Sequence, residues 1–330
     1  MRRRPVWKSP RRWRSHTWAS LALAGVLGLL GGAAVNGWHW LPTGQALLSG
    51  LERRSVGMPL LEPIRGRMLL ISPHPDDETL AAAGIIQDVL QHGGEVWVVF
   101  VTCGDGFPFD ARATALKPMV TAADYLRLGR HRMAEARAAT ARLGVRPDHV
   151  IFLGFPDRGL SALYHQNYLT PFKSPYTASD HVPYAGTLHP GAPYTGRELE
   201  GQLSTLLDRV KPQTVLAPST FDAHPDHQAA AYLATRLVAA RGERLYNYLV
   251  HGGLEWPLPK GEHRDLPLMP PTAEVQGERW NRYDLDPQQI ATKAEAVRAY
   301  RSQTLLIGRF MWAFVRENEL LLPAPGTEKP

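Results

Sequence analysis

Short apolar runs and segments with helical apolar spacing alternate along most of the chain. Runs rich in β-branched and aromatic residues predict buried strands at 67–72, 95–102, 149–155, 214–218 and 245–251. Apolar residues spaced three and four apart predict helices at 77–92, 123–143, 196–210 and 226–240. Strands that are apolar throughout are buried on both faces, and strands separated by helices pair in parallel. The pattern therefore predicts an α/β fold, a Rossmann-like three-layer α/β/α sandwich with a mostly parallel sheet.

Two long segments break this alternation. Residues 156–195 and 252–286 are irregular and rich in proline. Ligands of parallel α/β folds bind beyond the carboxyl ends of the strands. We therefore expect these segments either to shape a substrate pocket at that edge or to be passive surface insertions.

The N-terminal region has a pattern of its own. Residues 1–16 contain seven Lys or Arg and no acidic residue, and residues 17–35 are apolar or small and uncharged. Such a run approaches the roughly 20 residues that cross a bilayer, and basic flanks stay cytoplasmic. We expect a basic cytoplasmic tail at 1–16, a transmembrane helix at 17–41, a linker at 42–66 and a domain at 67–330 outside the cytoplasm. Alternatively, Gly32-Ala33-Ala34 is a signal cleavage site and the protein is secreted.

Charge is concentrated in that tail. The formal net charge is +6, but basic and acidic residues nearly balance beyond residue 16. The chain therefore predicts no nucleic-acid partner. A single cysteine, Cys103, excludes an intramolecular disulfide. No pattern in the sequence indicates the oligomeric state.

Two proline-containing motifs carry the candidate chemistry. The sequence SPHPDDE at 72–78 follows the first predicted strand, and DAHPDH at 222–227 follows the fourth. Together they offer two or three imidazoles and a carboxylate, the ligand set of an open catalytic zinc site, and leave a carboxylate for acid–base chemistry. His224 and His227 are three residues apart, so only one of them need face the metal. Alternatively, the first motif is a proline turn in which Asp76 or Asp77 caps the next helix.

HPDDE after a hydrophobic strand and HPDH late in the chain resemble the paired motifs of the PIG-L (LmbE-like) deacetylases. These are zinc-dependent enzymes that remove N-acetyl groups from N-acetylglucosamine conjugates. The resemblance extends over residues 67–304 and implies that the domain at 67–330 is an LmbE-like deacetylase domain. Further matching elements are TCGDG at 102–106, Arg132 with Glu135, LGFPD at 153–157, and Lys293 followed by Tyr300, Ser302 and Gln303. We expect the last three residues to be structural.

Carried over position by position, the resemblance implies one Zn²⁺ per chain held by His74, Asp77 and His227. Fe²⁺ is the alternative metal. The resemblance also implies that Asp76 is the general base that activates the metal-bound water. His224 would either stabilise the oxyanion or protonate the leaving amine. These roles suit amide hydrolysis, which needs a polarised carbonyl, an activated water and a proton for the nitrogen.

The residues around this centre have two interpretations each. The resemblance implies that Arg132 and Asp157 bind substrate. Alternatively, Arg132 pairs with the glutamate three residues on, and Asp157 belongs to a turn. Glu78 either braces a metal ligand from behind or is an acid in the first turn of a helix. Asp222 either orients His224 or caps a loop.

The sequence thus predicts a metal-dependent hydrolase that removes the N-acetyl group of an N-acetylglucosamine-type substrate. A glycan, a lipid-linked sugar or a glucosaminyl conjugate would fit. One alternative is a metallohydrolase of another bond, and the other is a non-catalytic, membrane-tethered carbohydrate-binding domain. The chain contains no GxxxxGK[ST], no GxGxxG after a strand and no GxSxG. Nucleotide-binding loops and a serine-hydrolase elbow are therefore unsupported.

Overall fold

The computed structural model describes residues 58–253, 256–271 and 278–324. The transmembrane helix predicted at 17–41 and the basic tail before it lie outside these residues, so both stay predictions. Within the described ranges, no helix combines the length and the apolar character that crossing a bilayer requires.

A seven-stranded sheet organises the described part of the chain. In chain order its strands are β1 (Arg67–Ser72), β2 (Glu95–Thr102), β3 (Val150–Phe155), β4 (Thr214–Pro218), β5 (Arg244–Tyr248), β6 (Asn281–Asp284) and β7 (Asn318–Pro323). They lie in the order β3-β2-β1-β4-β5-β7-β6. The first five pair in parallel, and β7 pairs antiparallel with both β5 and β6. The order of the parallel strands is Rossmann-like, and the predicted α/β class is confirmed.

Helices cover both faces of this sheet. They are α1 (Asp77–Gln91), α2 (Pro108–Ala115), α3 (Ala122–Arg142), α4 (Leu160–His165), α5 (Gly196–Val210), α6 (Pro225–Ala239), α7 (Pro287–Ala299) and α8 (Arg301–Trp312). Helices α1, α3, α7 and α8 share one buried apolar cluster, and α4, α5 and α6 share another. Strand β1 contributes to both clusters: Met68 and Leu70 belong to the first, and Leu69 and Ile71 belong to the second. Successive strand residues point to opposite faces, so a strand that is apolar throughout needs helices on both.

The two segments predicted to be irregular contain short elements. Helix α4 lies within 156–195, and strand β6 lies within 252–286. Strand β6 reads NRYD and is only partly buried, so it lacks the apolar run that identifies the other strands. It pairs antiparallel with β7 and is bridged on its other side by Leu60, and it needs no such run because its faces are only partly covered.

Helix α1, which begins inside the first motif, is fixed by a buried ion pair. Its backbone departs from helical geometry at Ala82 (φ −145°, ψ 21°). The N–H groups of Gly84 and Ile85 donate to the carboxylate of Glu319 at 2.9 and 3.0 Å. Lys293 Nζ donates to the same carboxylate at 2.7 Å, and neither charged side chain is exposed. The pair thereby supplies acceptors at the kink and ties α1 to α7 and β7.

Candidate metal centre and active-site cavity

The two motifs meet at one edge of the sheet. SPHPDDE follows β1 and DAHPDH follows β4, and these strands are neighbours. Strands β2 and β3 lie on one side of β1, whereas β4 and β5 lie on the other, so the chain reverses direction across the sheet at this point. Such a switch point leaves a crevice beyond the carboxyl ends of the strands. The fold thus brings together His74 and His227, which are 153 residues apart in sequence.

Two imidazole nitrogens and one carboxylate oxygen converge in this crevice. His74 Nδ1 and His227 Nε2 are 3.2 Å apart. Asp77 Oδ2 lies 3.2 Å from His227 Nε2 and 3.6 Å from His74 Nδ1. An ion with tetrahedral bonds of about 2.0–2.2 Å separates its ligand atoms by about 3.3–3.6 Å. The three residues predicted from the sequence therefore place one donor atom each at close to the spacing of tetrahedral ligands around one ion.

The chemistry of the donor set also fits a divalent ion. Asp77 Oδ1 is buried and has no hydrogen-bond partner among the described residues. Two imidazoles and a carboxylate suit zinc and other borderline first-row metals, and three protein ligands leave a fourth position open. His224 also has a ring nitrogen near those of His74 and His227.

The surrounding carboxylates favour positive charge at this point. Burial lowers the pKa of His227, but Asp222 and Asp77 outweigh it and raise the pKa to about 10. Burial also lowers the pKa of His74, and the carboxylates around it, led by Asp157, raise it well above its usual value. Burial raises the pKa of Asp77, but His227 and His74 hold it below its usual value. A cation bound at this point would be stabilised by the same carboxylates.

Asp222 fixes the imidazole of His227, not that of His224 as one interpretation of the sequence predicted. Asp222 Oδ2 lies 3.0 Å from His227 Nδ1, whereas the contact with His224 is the backbone N–H of His224 donating to Asp222 Oδ1 at 2.9 Å. The backbone N–H groups of Val250 and His251 also donate to Oδ2, each at 3.0 Å. A carboxylate behind one imidazole nitrogen turns the other nitrogen toward the centre.

His74 is held from behind by two carboxylates. Its Nε2 lies 3.3 Å from both Asp157 Oδ1 and Asp226 Oδ2. Asp226 is itself fixed by the backbone N–H groups of Arg158 at 2.6 Å and Leu160 at 3.0 Å. Sequence reasoning assigned no role to Asp226, although it stands inside the DAHPDH motif. Asp157 is predicted from the sequence to bind substrate. In the structure it also contacts His74, a predicted metal ligand.

Asp76 occupies an unusual backbone conformation at the start of α1. Its φ is 138°, a region that favours glycine and is populated mainly where surrounding structure enforces it. The Asp76 N–H donates to Glu78 Oε2 at 3.2 Å, and Tyr300 donates to Glu78 Oε1 at 2.5 Å. Glu78 therefore braces Asp76 and, being the second residue of α1, is also an acid in its first turn.

The carboxylate of Asp76 faces both charged and neutral donors. Gln303 Nε2 donates a hydrogen bond to Asp76 Oδ2, and Arg132 Nη2 lies 3.8 Å from the same oxygen. Burial and the charge of Asp77 raise the pKa of Asp76 well above its usual value, and Arg132 opposes them. A buried carboxylate with a raised pKa beside a candidate metal centre is a candidate proton acceptor.

Arg132 does not pair with Glu135, the alternative interpretation of these two residues. Arg132 Nη1 donates to the Gly104 carbonyl at 2.7 Å. Glu135 instead accepts from the backbone N–H and hydroxyl of Ser302 at 2.8 and 2.6 Å. Gly104 has a φ of +66°, and a Cβ there would lie 2.4 Å from Nη1. The glycine turn after β2 is thus what allows the guanidinium to approach the site.

His224 is the neutral imidazole of the group. Its Nδ1 accepts a hydrogen bond from the Asp226 backbone N–H at 3.2 Å, which leaves the proton of the neutral ring on Nε2. Burial and the nearby charges of His74 and His227 lower the pKa of His224 to about 2. His224 can therefore donate a hydrogen bond from Nε2 at neutral pH without carrying a charge.

These groups open onto one cavity of about 330 Å³. Six of the predicted residues line it: His74, Asp76, Asp77, Arg132, Asp157 and His224. His227, Glu78 and Asp222 lie behind that wall, fully buried. Phe107, Ile307 and Phe310 add an apolar side. The cavity is thus large enough for a sugar and has both polar and apolar walls.

Two residues of the cavity wall were missed or misjudged from sequence. His251, whose Nδ1 lies 3.1 Å from Asp222 Oδ1, belongs to no motif. Its position just after β5, at the same edge of the sheet, was the available signal. Gln303 was expected to be structural, whereas it lines the cavity and contacts Asp76.

Comparison with protein families matches residues 69–238, more than half of the chain, to the PIG-L family, GlcNAc-PI de-N-acetylase. A 1D-myo-inositol 2-acetamido-2-deoxy-alpha-D-glucopyranoside deacetylase of Actinosynnema mirum is 36% identical over 188 residues, 55% of this chain and 58% of the relative. The protein of that name from Mycolicibacterium smegmatis is 27% identical over 79% of this chain and 88% of its own length. The match thus spans less than two thirds of the Actinosynnema mirum protein.

Two solved structures share the fold. The A40926 pseudoaglycone deacetylase superposes with a TM-score of 0.52 at 19% identity, covering 81% of this chain and 100% of that chain. A deacetylase of teicoplanin biosynthesis superposes with a TM-score of 0.51 at 21% identity, covering 78% and 97%. At these identities the likeness bears on architecture and not on substrate.

Proposed function

Since the chain belongs to the PIG-L family of de-N-acetylases, we propose that it hydrolyses the acetamide of an N-acetylglucosamine-type substrate with the help of one divalent ion. The observation that carries the proposal is the triangle formed by His74 Nδ1, Asp77 Oδ2 and His227 Nε2, with edges of 3.2–3.6 Å. The carboxylate of Asp76 lines the same cavity. Zn²⁺ is the proposed ion and Fe²⁺ the alternative, because both accept imidazole and carboxylate ligands.

A divalent ion bound by these three residues would polarise the acetamide carbonyl and lower the pKa of a water molecule. Asp76 is the proposed base that takes the proton from the attacking water. Its raised pKa supports this role, because such a carboxylate holds an accepted proton more firmly than an exposed one does. Gln303 and Arg132 hold the carboxylate in place, so its proton-accepting oxygen has a fixed position.

His224 is proposed to stabilise the oxyanion that forms on the carbonyl oxygen. It is neutral and has its proton on Nε2, so it can donate to a developing negative charge without needing an extra proton. The proton for the leaving amine would then come from Asp76, which has just received one. This assignment favours the oxyanion role of His224 over its alternative role as the acid.

Arg132 and Asp157 are the proposed sugar contacts of the cavity wall. Both line the cavity while their other contacts hold them rigid, Arg132 through Gly104 and Asp157 through the Gly106 N–H at 2.7 Å. Rigid polar groups recognise hydroxyls at a low entropic cost. We also propose that the domain lies outside the cytoplasm, on the pattern of residues 1–41 alone.

The test is release of free amine by the full chain from a panel of N-acetylglucosamine conjugates. The panel would include inositol-linked, chitobiose-type and alkyl glycosides, each assayed with added zinc and then with a chelator. Zinc-dependent release from at least one member is the expected result. Bound metal without release from any member would contradict the proposal and favour another scissile bond.

A further inference from the structure

Gln303 has one end of its amide engaged and the other end without a partner. It lies on α8 and is fully buried, yet its side chain lines the active-site cavity. Its Nε2 donates to Asp76 Oδ2. Its Oε1 is buried and has no hydrogen-bond partner among the described residues. A buried acceptor of this kind costs stability unless a donor reaches it.

The contact with Asp76 fixes which end of the amide is left over. As the proposed base, Asp76 is ionised before the reaction, and an ionised carboxylate only accepts hydrogen bonds, so the NH₂ group of Gln303 faces it. The oxygen is then the polar atom that remains for whatever enters the cavity. It is held beside the proposed base, because the other end of the same amide contacts Asp76.

The reaction geometry places one particular donor close to that oxygen. Asp76 takes its proton from the attacking water, so the carbonyl carbon of the substrate must lie next to that water. The amide nitrogen is bonded directly to the same carbon. Among the groups bonded to that carbon, the amide N–H is the hydrogen-bond donor, since the acetyl methyl and the carbonyl oxygen offer none.

Resting on the proposed function, we infer that Gln303 Oε1 accepts a hydrogen bond from the N–H of the scissile acetamide. Gln303 is thereby a catalytic residue that ties the reacting amide to Asp76. It is also a specificity residue, because an acetate ester has an oxygen where the amide has N–H. An ester substrate would leave the Gln303 oxygen without a donor. A site built to accept a hydrogen bond discriminates in this way against an analogue that lacks the donor.

The neighbouring Ser302 provides a matched control on the same helix. Its N–H and hydroxyl donate to Glu135. The Ser302→Ala variant therefore perturbs the packing of α8 without touching the amide of Gln303. Gln303→Met removes both polar ends in a similar volume, whereas Gln303→Glu keeps an oxygen acceptor and removes the donor to Asp76.

The experiment compares kcat/KM of the full chain on methyl 2-acetamido-2-deoxy-glucoside and on the matching 2-O-acetyl glucoside. Gln303→Met is expected to lower the amide-to-ester ratio by about tenfold or more. Gln303→Glu is expected to slow both substrates and keep the ratio, and Ser302→Ala is expected to leave the ratio unchanged. Thermal unfolding of each variant checks that it is folded.

Two results would overturn the inference. An equal loss on both substrates in Gln303→Met would mean that the oxygen contacts water or that the residue serves Asp76 alone. An unchanged rate on both would mean that Gln303 contacts nothing that reacts. If the unmodified chain cleaves both substrates, these results bear on Gln303 only. If it cleaves neither the glycoside nor any member of the wider panel, the proposed function fails and the inference falls with it.

Discussion

Lys293 and Glu319 form an ion pair that is closed to solvent at both ends, and its disruption gives a quantitative test of the fold around the first motif. The Nζ–Oε1 distance is 2.7 Å, and both side chains are fully buried. Burial lowers the pKa of Lys293, and Glu319 opposes that shift. Among the described residues, Lys293→Met would leave the carboxylate of Glu319 with only the N–H groups of Gly84 and Ile85 as hydrogen-bond partners.

The expected cost of Lys293→Met is about 3–5 kcal/mol, the range for removing one partner of a buried pair. The double variant Lys293→Met/Glu319→Gln should recover most of it and come within about 1–2 kcal/mol of the parent, because no unpaired charge remains. The side-chain amide that replaces the carboxylate in that variant still has an oxygen that can accept from the kink in α1.

Urea unfolding of the full chain, followed by tryptophan fluorescence, measures these differences. Arg146→Met is the matched control, because Arg146 and Asp148 form an exposed pair at 2.7 Å and such pairs contribute less than about 1 kcal/mol. The reasoning is refuted if Lys293→Met stays within about 1 kcal/mol of the parent. It is also refuted if the double variant is no more stable than the single one.

Three further predictions concern other residues of the domain. Burial and the charge of Asp157 raise the pKa of Asp105 to about 7. The folded protein therefore binds this proton more tightly than the unfolded chain does, and it loses stability as the pH rises from about 4 through 7. Asp105→Asn should therefore gain about 2–3 kcal/mol relative to the parent between pH 5 and pH 8, measured by urea unfolding at both values. Asp222→Asn should weaken zinc binding by about 10–100-fold in a chelator competition, since Asp222 holds His227 at 3.0 Å. Gly129→Ala should lower the melting temperature, because its Cβ would lie 2.2 Å from the Tyr184 hydroxyl oxygen.

Each of these predictions has an opposing result. A stability difference between Asp105→Asn and its parent that does not change with pH would show that Asp105 is not protonated in the folded state at pH 5. Normal zinc affinity in Asp222→Asn would remove Asp222 from the support of the metal centre. An unchanged melting temperature in Gly129→Ala would mean that Tyr184 moves aside freely.

The central sheet and the metal-ligand candidates were predictable because their signals are local. Strands 67–72, 95–102 and 214–218 and helix 196–210 have the predicted bounds, since apolar runs and capping residues mark them directly. The two motifs follow neighbouring parallel strands, so the sheet order alone brings His74 and His227 together.

The rest of the site depends on contacts that no local pattern encodes. Gln303 reaches Asp76, 227 residues away in sequence, because α8 forms part of the cavity wall. His251 is near Asp222 because β5 ends at the same edge of the sheet as β4. Asp222 faces His227 and not His224 because its carboxylate is fixed by backbone N–H groups of the loop after β5. Such choices are made by tertiary packing, which the spacing of residues along one strand or helix does not specify.

Metal content and amine release, measured on the same preparations of the parent, Asp76→Ala and His74→Ala, test the central claim most directly. If Asp76 is the base beside a metal centre that includes His74, Asp76→Ala keeps its zinc and loses nearly all turnover, whereas His74→Ala loses both. An Asp76→Ala variant with a near-normal rate, or a His74→Ala variant that retains its zinc, would contradict the account.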